Sequence, residues 1–131
     1  MTLYESNYIR LRRLVGDFDE LPYESVSSAP GDVDLVLRRE EQSRYTTTYT
    51  LTYRFLEDGE TSSDPDLLVR VYHDARLTEV LGGASRHRHP LLTEFAAGTP
   101  GHMDVRWRRN MMLNKWLEYC TERGHSFSAP I

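Results

Sequence analysis

The sequence predicts an α+β fold: an N-terminal helix, a four-stranded antiparallel meander and a C-terminal helix, with both helices packed on one face of the sheet. Three observations carry that expectation. Arg44–Phe55 alternates with a period of two; apolar residues recur at helical spacing near both ends of the chain; and shorter alternating runs flank the central one, separated by turn residues. Successive side chains leave a pleated strand on opposite faces, so a period of two in β-branched and aromatic residues marks a half-buried strand. Tyr45, Thr47, Tyr49, Leu51, Tyr53 and Phe55 share one face, and Arg44, Thr46, Thr48, Thr50, Thr52 and Arg54 the other. The odd-numbered face is expected to meet the core and the even-numbered face water or a ligand. At 131 residues the chain suits a single domain spanning 1–131.

The first helix begins at Thr2-Leu3-Tyr4-Glu5, the capping-box pattern in which Thr and Glu side chains satisfy free amides of the first turn. Tyr4, Tyr8, Leu11 and Val15 follow at helical spacing, with Gly16 as the stop. Arg10, Arg12 and Arg13 lie toward the C-terminal end, where the helix dipole favours cations. Residues 17–31, acidic and then rich in Ser, Pro and Gly, read as a connecting loop. Asp17, Asp19, Glu20 and Glu24 lack the spacing of a calcium loop.

Val33–Arg38 is the first expected strand, with its odd positions apolar. Keeping both apolar sets on one face places Leu35 opposite Tyr49, Leu37 opposite Thr47 and Glu40 opposite Arg44. Residues 57–66 form an acidic loop with an Asp58-Gly59 turn signal. Leu67–Tyr72 is the next strand, and His73-Asp74-Ala75-Arg76 turns it back into Leu77–Val80. That hairpin pairs Val69 with Val80, Tyr72 with Leu77, and Arg70 with Glu79. Residues 84–102 show no clear pattern. A helix over 104–123 follows, N-capped by Asp104, burying Met112, Leu113, Trp116, Leu117 and Cys120, and ending at Gly124.

Several strings together resemble a known family. Asn7-Tyr8 with Leu11-Arg12-Arg13-Leu14, Glu41–Thr47, Val69–Ala75 with Glu79-Val80, and Asn110, Leu113 and Trp116–Cys120 occur in order along the chain. The set is similar to the YqiB-like family of small bacterial proteins, a domain of unknown function. The resemblance implies a bacterial cytoplasmic protein, supplies no reaction and assigns no catalytic residue. Residues 84–102 depart from it, with His87 and His89 where aromatics can stand.

Composition excludes some classes of function. A net charge of −4 disfavours wholesale binding of nucleic acid or an anionic membrane. Cys120, the single cysteine, allows no intramolecular disulfide and suits a reducing compartment. No signal peptide is visible at the start, no apolar run is long enough to cross a bilayer, and a cytoplasmic location is expected.

Among the sixteen basic residues Lys115 is the only lysine, and arginine is the better fork for phosphate or carboxylate. Arg38, Arg44, Thr46, Thr48, Arg70 and Tyr72 on the even face, with His73 and Asp74 at the turn, form the candidate site for a small anion such as a nucleotide. Against it, Glu40 and Glu79 can neutralise Arg44 and Arg70 across the strands. His73-Asp74 also has the composition of an acid/base pair. His87 and His89, two residues apart, are the best metal pattern, with Glu79, Asp74, His73 or His102 as further ligands in a metal-assisted hydrolase. No cofactor motif or glycine-rich phosphate loop is present. The leading expectation is a non-enzymatic protein-interaction or regulatory module with a protein partner. The alternatives are the anion binder and the hydrolase. Oligomeric state is open, because an outer strand of the meander can dimerise through its edge.

Overall fold

The computed structural model describes residues 1–83 and 105–128. Helix α1 spans Leu3–Val15 and begins with the expected capping box between Thr2 and Glu5. Gly16 ends it at φ +86°, a left-handed conformation that disfavours side chains, and a Cβ there would meet Ser128. A short 3₁₀ turn, Phe18–Glu20, leads to the sheet. Helix α2 spans Val105–Arg123, with Gly124 in the left-handed region and the His125 amide bonded to the Cys120 carbonyl. The Asp104 cap and the His87 and His89 metal pattern lie outside the described residues. No described helix is long and apolar enough to cross a membrane.

The sheet is an antiparallel meander of five strands in sequential order: β1 Glu24–Ser27, β2 Asp34–Gln42, β3 Thr46–Glu57, β4 Glu60–Tyr72 and β5 Leu77–Gly82. Sequence leads to four. The additional strand β1 falls in the segment expected to be a loop and pairs along β2 from Glu24↔Arg38 to Ser27↔Leu35. Its Glu, two Ser and one Val carry almost no apolar alternation, because Glu24 and Val26 are exposed and only Ser27 is buried.

The β2–β3 register also differs from expectation. Leu35 lies opposite Tyr53, and Leu37 opposite Leu51. The pairing is displaced by four residues relative to that expectation, an even number, so the side chains paired before the bulge keep the faces assigned to them. The offset arises because β2 runs on through Gln42, with a bulge between Arg39 and Glu41. Glu40 therefore has no strand partner opposite Arg44, and Tyr45 is in the turn and 52% exposed. The 57–66 segment is a hairpin: Asp58 and Gly59, at φ +52° and +78°, join β3 directly to β4. Two successive positive φ values are what a tight two-residue hairpin turn requires. In the β4–β5 hairpin the pairs Val69↔Val80, Arg70↔Glu79 and Tyr72↔Leu77 are as expected.

Both helices cover the odd-numbered face. Leu11, Leu14 and Val15 from α1 and Leu113, Trp116, Leu117 and Cys120 from α2 close over Leu35, Leu37, Leu51, Tyr53, Leu67, Val69 and Val71, all essentially inaccessible. Burial of Trp116, Tyr53 and the leucines supplies the main driving force, at about 1.5–3 kcal/mol for each large apolar side chain fully buried. A buried amide cluster fixes how the helices meet the sheet. Asn114 Nδ2 donates to Asn7 Oδ1 (3.0 Å), Asn7 Nδ2 to Asn110 Oδ1 (3.3 Å), and the Val80 amide of β5 to Asn110 Oδ1 (2.9 Å).

Candidate functional site

On the Arg/Thr face of the sheet Thr48, Thr50 and Thr52 are buried rather than open to water, and the arginines bond neighbouring side chains. Thr48 pairs with Arg70 and Thr46 with Tyr72 across β3–β4, and Arg38 with Thr50 across β2–β3. Arg38 donates to Glu40 Oε1 (2.7 Å), which also accepts from Thr50 Oγ1 (2.9 Å). The Arg38 hydrogen bond holds the Glu40 carboxyl below its usual range, and Glu40 in turn raises Arg38. Arg70 donates to Thr48 Oγ1 (3.1 Å) rather than to Glu79, although it stands opposite it. Glu79 instead accepts from the Tyr72 hydroxyl (2.6 Å), a bond that pushes the Tyr72 pKa upward. These groups are occupied.

A different group of side chains converges at one end of the helix-covered face. There a cavity of about 430 Å³ is lined by Arg12, Arg39, Arg44 and Arg76, with Asp17, Asp19, His73, Gln42, Ser43, Thr47 and the rings of Tyr8, Phe18 and Tyr49. Each element contributes for a local reason. Arg39 continues the inward row Leu35–Leu37 and faces Tyr49, just before the bulge at Glu40. A bulge bends its strand and re-aims the neighbouring side chains. Arg44 comes from the β2–β3 turn, held by the Ser43 amide on the Thr46 carbonyl (2.9 Å). The β4–β5 turn docks beside it, through the His73 amide on the Tyr45 carbonyl (2.9 Å), and brings Arg76. Arg12 comes from the last turn of α1, with its Nε donated to the Gly16 carbonyl and its guanidinium 6.0 Å from the Phe18 ring centre.

Among the described residues none of the cavity's four arginines has a carboxylate within 4 Å; on the sheet face Arg38 and Arg54 are each joined to a glutamate, while Arg70 is held by Thr48 alone. The guanidiniums of Arg39 and Arg76 have no hydrogen-bond partner among the described residues either. His73 presents Nε2 to Thr47 Oγ1 (2.8 Å) and meets the Phe18 ring edge-on at 5.3 Å. Burial lowers its pKa, with Asp19 and Asp74 acting in the opposite sense, so the imidazole is neutral at pH 7. Asp74 is exposed and accepts from the Ala75 amide (3.0 Å), so His73 and Asp74 form no hydrogen-bonded dyad. Burial likewise raises the Tyr49 hydroxyl, with the Arg39 charge acting against the shift.

The structure thus divides the sequence candidates. Arg44 and His73 stand at the cavity. Arg38, Thr48, Arg70 and Tyr72 lie in the satisfied network on the opposite face, Thr46 bonds Ser43 in the turn, and Asp74 points outward. Arg12, Arg39 and Arg76, which also line the cavity, carry no ligand pattern in the sequence. The visible signal for Arg39 was its place in the odd-numbered row after Val33, Leu35 and Leu37, where a charge ends an apolar run.

A third cluster joins Ser27, His125 and Asp32. Ser27 Oγ lies 2.9 Å from His125 Nδ1, and His125 Nε2 lies 3.0 Å from Asp32 Oδ2, which also accepts from the Tyr53 hydroxyl (3.2 Å). The residue types are those of a nucleophilic triad, and Ser27 borders a second cavity of about 730 Å³. The chemistry differs, because Ser27 Oγ already accepts the Ser126 amide (2.8 Å) and is 3% exposed. The cluster fastens the C-terminal segment to β1, next to the Phe127 amide on the Leu14 carbonyl (2.8 Å). Cys120 is equally inert: burial pushes its thiol up to about 12. Among the described residues no three His, Cys, Asp or Glu side chains are grouped to hold a metal ion.

Comparison with known proteins gives a family and no activity. The pattern of the family described as "Protein of unknown function (DUF1249)" matches residues 10–126. The chain is 32% identical over 124 residues to "Uncharacterized protein YqiB" of Escherichia coli strain K12, covering 95% of this chain and 87% of that protein. The YqiB proteins of Escherichia coli O6:H1 and O157:H7 match to the same extent. No solved structure matches the chain.

Proposed function

The chain belongs to the DUF1249 family of proteins of unknown function, and we propose that it is a small bacterial cytoplasmic module that binds a small phosphate- or carboxylate-bearing ligand in the arginine-lined cavity. The single observation that supports this reading is that four guanidiniums, from α1, β2 and two turns, border one concave cavity with no carboxylate of the described residues within 4 Å of any of them. Folding brings like charges together at a cost, and an anion removes it. A guanidinium presents paired N–H donors in a planar fork that matches carboxylate and phosphate oxygens. Ser43 supplies a hydroxyl, and Asp17 and Asp19 moderate the field. In this reading the protein senses or carries its ligand, in keeping with a regulatory role, and the anion site lies at the end of the helix-covered face rather than on the Arg/Thr face.

Thermal unfolding with added sulfate tests this. A ligand at a hundredfold excess over its Kd stabilises by about 2.7 kcal/mol. Sulfate also strengthens apolar burial in any protein, so the comparison is with Arg39→Ala. The wild type is expected to gain several degrees more than the variant at the same sulfate concentration. Equal gains in the two proteins would refute the site.

A further inference from the structure

We infer that the ligand of this cavity is a small phosphate monoester, read through its terminal dianionic phosphate. The inference rests on the anion-binding reading and adds the class of the anion. Three observations converge on it. The first is charge: four arginines against Asp17 and Asp19, with His73 neutral, leave a surplus of two positive charges at the cavity. A phosphate monoester carries about −1.5 to −2 at pH 7, whereas a diester or a single carboxylate carries one. The second is the number of donors. A guanidinium fork engages two acceptor oxygens at once. The three terminal oxygens of a monoester offer more acceptor positions than the two free oxygens of a diester to forks arriving from β2 and from the β4–β5 turn together. The third is space. A cavity of about 430 Å³ lies within the roughly 300–1,000 Å³ usual for organic ligands. A bare inorganic ion would leave much of it filled with water, and the Tyr8, Phe18 and Tyr49 rings in its wall offer contact to an organic body.

The rest of the molecule disfavours longer polyanions. Its net charge of −4 repels nucleic acid outside the cavity, and the sheet-face residues Arg38, Arg54 and Arg70 are already bound to Glu40, Glu24 and Thr48. A compact dianion meets the local surplus without meeting the global repulsion.

Isothermal titration at pH 7.5 with phenyl phosphate, methyl phenyl phosphate and sulfate separates the outcomes. Phenyl phosphate is expected to bind one to one, at least tenfold tighter than its methyl diester, and to lose most of that affinity in Arg39→Ala and in Arg76→Gly. If sulfate binds and the two esters bind equally, or neither ester binds, the monoester inference is overturned while the anion site stands. If neither sulfate nor phenyl phosphate binds the folded wild type, both readings fall.

Discussion

Arg76 shows at a single residue how the cavity is built against local preference. It adopts φ +55° at the end of the β4–β5 turn, where glycine or asparagine is the usual occupant. For an arginine the left-handed conformation costs about 1 kcal/mol or more, a local cost that an anion-binding role for this side chain would account for. Arg76→Gly is accordingly expected to raise the unfolding temperature by a few degrees while weakening phenyl phosphate binding. A scan of the variant without ligand, followed by a titration, checks both halves. A destabilised variant would show that the Arg76 side chain is there for packing. The contrast with Arg38 makes the same point. Both are arginines beside turns or bulges, but Arg38 sits 2.7 Å from Glu40 and Arg76 borders a cavity with no such partner among the described residues.

At the scale of elements, the amide cluster between the helices and β5 sets the frame that carries both turns. Asn110 is inaccessible and accepts from the Val80 amide, an outward donor of the outer strand β5, and from Asn7. Covering an edge strand in this way keeps it from pairing with another chain. Asn110→Ala would leave the Val80 amide buried without an acceptor, and Asn7 Nδ2 with only the Asn110 backbone carbonyl at 3.4 Å. An orphaned buried group costs about 1–3 kcal/mol, and a loss of that size is expected in a denaturant titration. A loss under 1 kcal/mol for Asn110→Ala would mean that water replaces the side chain and that the cluster is not a fastening. Asn7 and Asn110 were visible in the sequence only as parts of a family resemblance. Their bond spans 103 positions, which no local pattern encodes.

For the molecule as a whole, periodicity conveyed the faces and missed the lengths. The inward row of β3, the stripes of both helices and the β4–β5 register could be read because each depends on spacing of two or 3.6 within one segment. The β2–β3 offset could not, because parity fixes which face a side chain takes and leaves the turn position free by even steps. Strand β1 escaped because four residues with one apolar member carry no period. The cavity escaped for a third reason. Arg12, Arg39, Arg44 and Arg76 come from four places along the chain, and only the folded register brings them to one rim. Sequence chemistry pointed to arginines and hydroxyls for an anion, and the fold selected which of them remain available.

The most direct measurement is a two-dimensional NMR titration of the isotope-labelled protein with phenyl phosphate, following backbone amides and arginine side-chain N–H groups. The account predicts saturable shifts concentrated at residues 39–47 and 73–76 and at Arg12, with Arg39 Nε–H among the most affected. Shifts centred instead on Arg38, Thr48 and Arg70, or the absence of any saturable shift, would contradict it.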